Sequence, residues 1–295
     1  MKIAAIDIGT NAIRAKIFRT NPVSIEFMEQ FRYPLRLGSQ VYKEGKLSRP
    51  EIEKLIEVIN DCVDIFKAKE VTRYEIIATS ALRDTENSEA ARRKIEIAVN
   101  HPVRIISGLE EANLIRFHPR SFTGDKKLFV DIGGGSTEFF IRNVTETNIK
   151  SFQLGGVRNM LNKDKKKEWE RMREWLQSIA PRKKLIGIGG NIRSFLQILG
   201  SKDVKAETLN KNIIALSNLS VAEKVAKYGF SLDRADVIDH ALEILRVISQ
   251  ELNVESITST KWGITDSIAV RLFHEIYANK ANLAKDKISF PGKIA

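Results

Sequence analysis

An apolar strand, an Asp-Ile-Gly turn and a returning apolar strand occur twice in this chain, and no other feature constrains its fold as much. Ile3 to Ile6 leads into Asp7-Ile8-Gly9-Thr10-Asn11, and Ile13 to Phe18 returns. Leu128 to Ile132 leads into Gly133-Gly134-Gly135, and Thr137 to Ile141 returns. Short apolar runs on either side of a glycine turn read as hairpins. Two occurrences far apart do not make a solenoid period. The economical reading is two similar α/β halves facing each other.

Length agrees with this reading, since 295 residues at roughly 150 per domain give about two domains. The polar stretch around Pro119, Gly124, Asp125, Lys126 and Lys127 is the expected boundary, giving domains over 1–122 and 123–278. Extra helix over about 279–295 is expected to pack back on the first. Ser48-Arg49-Pro50-Glu51 is a capping box that opens a helix with Ile52, Leu55, Ile56, Ile59, Val63 and Phe66 on one face. Further helices are expected over Glu89 to Val99, around Trp169 and Trp175, and over Ile192 to Leu199. Beyond these, Ser220 to Gly229, Arg234 to Leu252 and Ile264 to Tyr277 also read as helices. Strands are expected at Ile25 to Tyr33, Tyr74 to Ala78, Val103 to Ile106, Ile149 to Leu154, Leu185 to Ile188 and Ser256 to Ser259.

Composition excludes several classes of function. No stretch approaches the ~18 uninterrupted apolar residues of a membrane helix. The early Asp7 argues against a secretory signal. A single cysteine, Cys62, excludes a disulfide scaffold and a cysteine-built zinc site. A cytoplasmic chain with no membrane partner is the expectation. Forty-eight Lys and Arg against 37 Asp and Glu leave a charge of +11, which attracts polyanions. The basic residues cluster at Arg92-Arg93-Lys94, Lys163 to Lys167 and Arg182-Lys183-Lys184, and for any one of these plain solvated surface is the commoner reading. Aromatic residues interleaved with basic ones are scarce, so from the residues alone a phosphate-rich ligand without bases is as good a partner as nucleic acid.

Candidate chemistry gathers at strand ends. Gly9-Thr10-Asn11, Gly133-Gly134-Gly135-Ser136 and Gly189-Gly190 are turns whose backbone N–H groups can approach a phosphate unobstructed by Cβ atoms. None carries the P-loop Gly-Lys-Ser/Thr or a dinucleotide fingerprint. Asp7 and Asp131 end apolar strands and could hold Mg²⁺ beside phosphate oxygens, or cap their own turns. Glu138 follows the triple glycine and faces either the same site or solvent. In Ser107-Gly108-Leu109-Glu110-Glu111, capping geometry assigns Glu110 to the helix start. Glu111 lies about 100° further round, away from the cap, and is a candidate general base. Arg83 follows a strand in a loop, placed for a bidentate phosphate contact or a surface ion pair.

Taken in order, these motifs resemble one family. Asp7 to Asn11, Ala78-Thr79-Ser80-Ala81-Leu82-Arg83-Asp84, Ile106 to Ala112 and Asp131 to Glu138 are similar to the exopolyphosphatase / guanosine pentaphosphate phosphohydrolase family. That family lies within the actin–sugar kinase–heat-shock chaperone superfamily. Leu154 to Arg158, Gly187 to Asn191 and Asp233 to Ile238 extend the likeness over nearly the whole chain. The pattern departs at Asn113, at Arg116 to Arg120, at Asp239-His240-Ala241 and at Gly263 to Ser267. The resemblance implies two ribonuclease-H-like domains of the actin-like ATPase fold with an interdomain cleft. It further implies Mg²⁺-dependent hydrolysis of the terminal phosphoanhydride of polyphosphate or of guanosine pentaphosphate. By motif, Glu111 activates water and Arg83 holds phosphate, the turns bind phosphates, and Asp131, Glu138 and Asp7 serve metal. On this resemblance no nucleic-acid partner is expected. A non-catalytic regulator that binds nucleotide or polyphosphate stays open, as does a homodimer.

Overall fold

The computed structural model describes residues 1–121, 127–142, 147–179, 181–201 and 203–277. The chain divides into two compact units, the first comprising Met1–Ser107 with the segment from Gly263, the second Gly108–Trp262.

The first unit opens with the hairpin β1 (Lys2–Ile8) and β2 (Ile13–Asn21), which continues into β3 (Ser24–Tyr33). Helix α1 (Leu37–Glu44) precedes α2 (Arg49–Ala68), which begins on the expected Ser48 capping box with Pro50 in its first turn. The stripe of α2 buries Ile52, Leu55, Ile59, Cys62, Val63 and Phe66. Strand β4 (Arg73–Ala78), the short helix α3 (Ser80–Arg83), α4 (Ser88–Val99) and β5 (Val103–Ile105) follow. The sheet order is β3-β2-β1-β4-β5, antiparallel on the hairpin side and parallel across β1, β4 and β5.

The second unit starts with α5 (Gly108–Leu114), then β6 (Lys127–Ile132), β7 (Thr137–Arg142) and β8 (Thr147–Phe152). Next come α6 (Gly156–Met160), α7 (Lys166–Ser178), β9 (Lys184–Ile188), α8 (Gly190–Ile198) and β10 (Asp203–Lys205). Helices α9 (Ala206–Ser217), α10 (Val221–Tyr228), α11 (Leu232–Ala235) and α12 (Ile238–Glu251) lead to β11 (Ser256–Ser259). The order β10-β11-β9-β6-β7-β8 contains β8-β7-β6-β9-β11, strand for strand the pattern of the first sheet. The internal repeat is therefore a repeat of topology: the chain is α/β, with two ribonuclease-H-like domains. Helix α13 (Ile264–Tyr277) then returns to the first unit and packs on β1 and β2.

Three expectations differ from the structure. The units divide at 107/108 and 262/263, whereas the sequence placed one boundary at 122/123. Helix α5 packs on β7 and β8, and so belongs with the second sheet. Residues 122–126 and the tail from 278 onwards, including the helix expected there, lie outside the described residues. The helix expected from Arg234 to Leu252 is two helices, interrupted at Asp236 and Val237. The interruption lies where α6 comes closest, for a Cβ on Gly156 would meet Val237 Cγ1 at 2.6 Å. Among the basic clusters, Arg182 is buried, Lys183 pairs with Glu255 at 2.9 Å, and Arg92 is held by Glu89 and Glu96. Only part of the formal charge is therefore open surface. No helix among the described residues is long and apolar enough to cross a membrane.

The α6–α12 contact makes a prediction. Gly156→Ala forces a Cβ against Val237 and Ala241, and should lower stability by about 1–3 kcal/mol through overpacking. Gly200→Ala, where nothing lies within 4 Å, should cost only the roughly 1 kcal/mol of a left-handed φ. Urea midpoints of the two variants check the ranking; an equal or reversed order would refute close α6–α12 packing.

Candidate active site

Each unit builds its glycine turn in the same way. In the first, the turn after β1 is fastened by carbonyls: Gly38 N donates to Thr10 O at 2.8 Å and Arg36 N to Asn11 O at 3.0 Å. Gly38 is required here, because a Cβ would lie 2.1 Å from Thr10 Cγ2. The buried Thr10 hydroxyl meets Ser80 Oγ at 2.6 Å, which ties the turn to the start of α3. In the second unit, Gly156 N donates to Gly133 O at 3.0 Å, and Val157 N to Gly134 O at 2.8 Å. Arg158, buried, donates from Nε to Gly135 O at 2.8 Å. A Cβ on Gly155 would meet the Gly134 backbone at 2.5 Å. None of these fastening bonds uses the amides of Gly134, Gly135 or Ser136, which are the donors an anion site needs.

The third turn follows β9. Gly189 adopts a left-handed φ of 97°, and a Cβ there would stand 3.0 Å from Asp131 Oδ1. The Arg234 guanidinium lies over Gly190, 2.7 Å from where its Cβ would be. The second and third turns therefore adjoin one carboxylate and one arginine within a single unit.

The carboxylates differ in environment. Asp7 sits one residue before the end of β1, opposite Arg14 on β2, with Nη1 to Oδ2 at 3.6 Å. Its Oδ1 is buried without a hydrogen-bond partner. Burial pushes its carboxyl up from 3.8 to about 6, against the opposing pull of Arg14. Asp131 is half-buried at the matching place in β6, opposite Glu138 on β7. Glu138 is 1% exposed and accepts the Ser151 hydroxyl at 2.8 Å, so the solvent-facing alternative does not hold. Among the described residues no three His, Cys, Asp or Glu side chains converge as a metal cage. One or two carboxylates completed by water and phosphate oxygens are the arrangement Mg²⁺ favours, and the orphaned Asp7 oxygen fits that pattern.

Glu110 and Glu111 face different ways. Glu111 is buried and Glu110 is exposed, at adjacent positions of α5. Helix α5 is seated by Gly108, where a Cβ would collide with Ser151 Oγ at 2.1 Å and lie 3.6 Å from Glu138 Oε1. Arg83 ends helix α3 rather than sitting in a loop, because Ser80 to Arg83 close a helical turn against Thr79. Its Nη1 donates to Ile106 O at 2.9 Å and its Nε lies 3.4 Å from Asp84 Oδ1. Gly38 and Ser80 shape the turn of the first unit, and Gly108, Ser151 and Arg158 the surroundings of the second; none of the five was given a role from sequence. A glycine at 38 and at 108 is the signal the sequence carried, since each is a place where another backbone or side chain approaches closely.

A model of the Ppx/GppA phosphatase family matches residues 16–275. The chain belongs to that family. Among solved structures, the Aquifex aeolicus family member is 20% identical with a TM-score of 0.76, covering 95% of this chain and 99% of its own. An exopolyphosphatase from Cytophaga hutchinsonii is 20% identical with a TM-score of 0.81, covering 93% of this chain and 98% of its own. At that identity these likenesses show the fold of this Ppx/GppA phosphatase.

Asp7 supplies a prediction. Because its folded-state value is raised, the native state loses stability as pH rises from about 3.8 to about 6. Asp7→Asn should therefore raise stability at pH 7.5 in chelated buffer by about 1–3 kcal/mol and give no gain at pH 4. Scanning calorimetry at both pH values checks it, and a variant less stable at pH 7.5 would contradict the burial argument.

Proposed function

We propose that this Ppx/GppA phosphatase hydrolyses the terminal phosphoanhydride of inorganic polyphosphate and releases orthophosphate. The observation that carries this reading is the split within α5: Glu111 is buried in the unit that holds the triple-glycine turn, and its neighbour Glu110 is at the surface. In the proposed reaction Glu111 accepts a proton from water as the water oxygen attacks the terminal phosphorus. The bridging P–O bond breaks, and the shortened chain leaves with the bridging oxygen. Arg83 holds a phosphate, and the amides of Gly9 to Asn11, Gly133 to Ser136 and Gly189-Gly190 take up charge on the phosphoryl oxygens. Mg²⁺, if bound by Asp7, Asp131 or Glu138, would neutralise charge on bridging and terminal phosphate oxygens. The +11 charge favours encounter with a long polyanion.

Glu111→Gln should lower kcat by about 10²–10⁴ while leaving polyphosphate binding largely intact. Glu110→Gln should retain activity, since glutamine also serves in a capping box. Phosphate release from long polyphosphate, short polyphosphate and guanosine pentaphosphate, each with and without Mg²⁺, tests the substrate. Faster release from guanosine pentaphosphate would move the reading to that nucleotide. Release from none of the three would make the chain a binding protein.

A further inference from the structure

Helix α10 is fastened to the second unit by a buried charge. Val221, Lys224, Val225 and Tyr228 follow one another at three- and four-residue steps and share one face. Of the whole helix only Lys224 is fully buried, at 3% exposed. Val225 and Tyr228 pack against the core from partly buried positions, and Val221 is exposed. The Lys224 ammonium donates to Oδ2 of Asp239, in the first turn of α12. A buried lysine needs such a partner. Asp239 Oδ1 is itself buried without a hydrogen-bond partner, so the carboxylate depends on Lys224. Asp239 also falls where the family pattern breaks, at Asp239-His240-Ala241.

From α10 the contacts lead to the third glycine turn. Helix α10 packs on α11, and Tyr228 meets Phe230 across the short link, with ring centroids 5.8 Å apart. Helix α11 is a single turn, too short to hold itself without neighbours. It carries Arg234, whose guanidinium lies over Gly190 and whose Nη1 is 3.5 Å from Asn191 Oδ1. All these residues belong to the second unit.

We propose that Lys224 and Asp239 are positioning residues for the third turn. Their ion pair fixes α10, α10 fixes α11, and α11 sets where the Arg234 guanidinium stands beside Gly189 and Gly190. A guanidinium so placed offers charge-assisted donors to an anion at the turn, provided that its planar fork is held in one orientation. The proposal rests on the reading that this turn takes up phosphate. Removing one partner leaves the other buried and uncompensated, which displaces α10. Replacing both by apolar side chains of similar volume leaves the helix seated.

Calorimetric titration with inorganic tripolyphosphate, in a Glu111→Gln parent that lacks the proposed base, tests it without turnover. Asp239→Asn and Lys224→Met should each weaken binding about fivefold, and Lys224→Met combined with Asp239→Leu should return it to within about twofold of the parent. Arg234→Ala should weaken binding about tenfold. Adding Asp239→Asn to Arg234→Ala should weaken it no further, because the pair acts through that arginine. A merely structural pair would add its full loss in both backgrounds, and that result would overturn the proposal. Single variants that melt earlier but bind like the parent would also overturn it. Circular dichroism at the assay temperature verifies the fold; should Lys224→Met unfold, Asp239→Asn and the apolar pair still decide. Tripolyphosphate binding by none of the chains, the parent included, would overturn the phosphate reading of the turn, and the proposal with it.

Discussion

Both units depend on one kind of hydrogen bond: amides at the start of a short helix donate to the carbonyls of a glycine turn. In the first unit this is Gly38 to Thr10, and in the second Gly156 and Val157 to Gly133 and Gly134. The bonds form only because Gly38 and Gly155 lack a Cβ, which would stand within 2.1 and 2.5 Å of the turns. Such a turn is anchored through its oxygens. In the second turn the amides of Gly134, Gly135 and Ser136 donate to none of these bonds, which suits an anion-binding concavity. The returning strand of each hairpin and the parallel strands beside it then follow from the shared topology.

Three buried carboxylates are costly where they stand. Asp7, Glu111 and Glu138 are all buried, and a buried charge needs a partner or a shifted protonation state. Glu138 has Ser151 as one partner, whereas Asp7 keeps one oxygen unbonded and a carboxyl raised to about 6. A fold optimised only for stability would not leave that oxygen unpaired. Within each unit a buried carboxylate stands on a strand that flanks the anchored turn, Asp7 before the first turn and Glu138 after the second.

Much of this was legible in the sequence, and the omissions have physical causes. The paired Asp-Ile-Gly turns predicted two like sheets, because apolar runs of strand length bracket them. The Ser48 and Ser220 capping boxes marked helix starts, since each joins a hydroxyl residue to a glutamate three positions on. The split of Glu110 from Glu111 was readable from helical geometry alone. By contrast, α1, α3 and α6 are too short to show a periodic stripe, and so Arg83 was read as a loop residue. The affiliation of α5 and α13 was hidden because it rests on packing against β8 and β1, contacts that no local pattern encodes. Arg182 looked like surface charge because neighbouring lysines are exposed, although its own side chain is buried.

In the proposed reaction, anchored glycine turns hold a phosphate chain while its last unit is removed. Polyphosphate of one defined length, incubated with the chain and Mg²⁺ and resolved by gel at short times, tests this directly. The account predicts orthophosphate as the only small product, with the polymer shortened from its end. Internal fragments of intermediate length appearing before orthophosphate would contradict it.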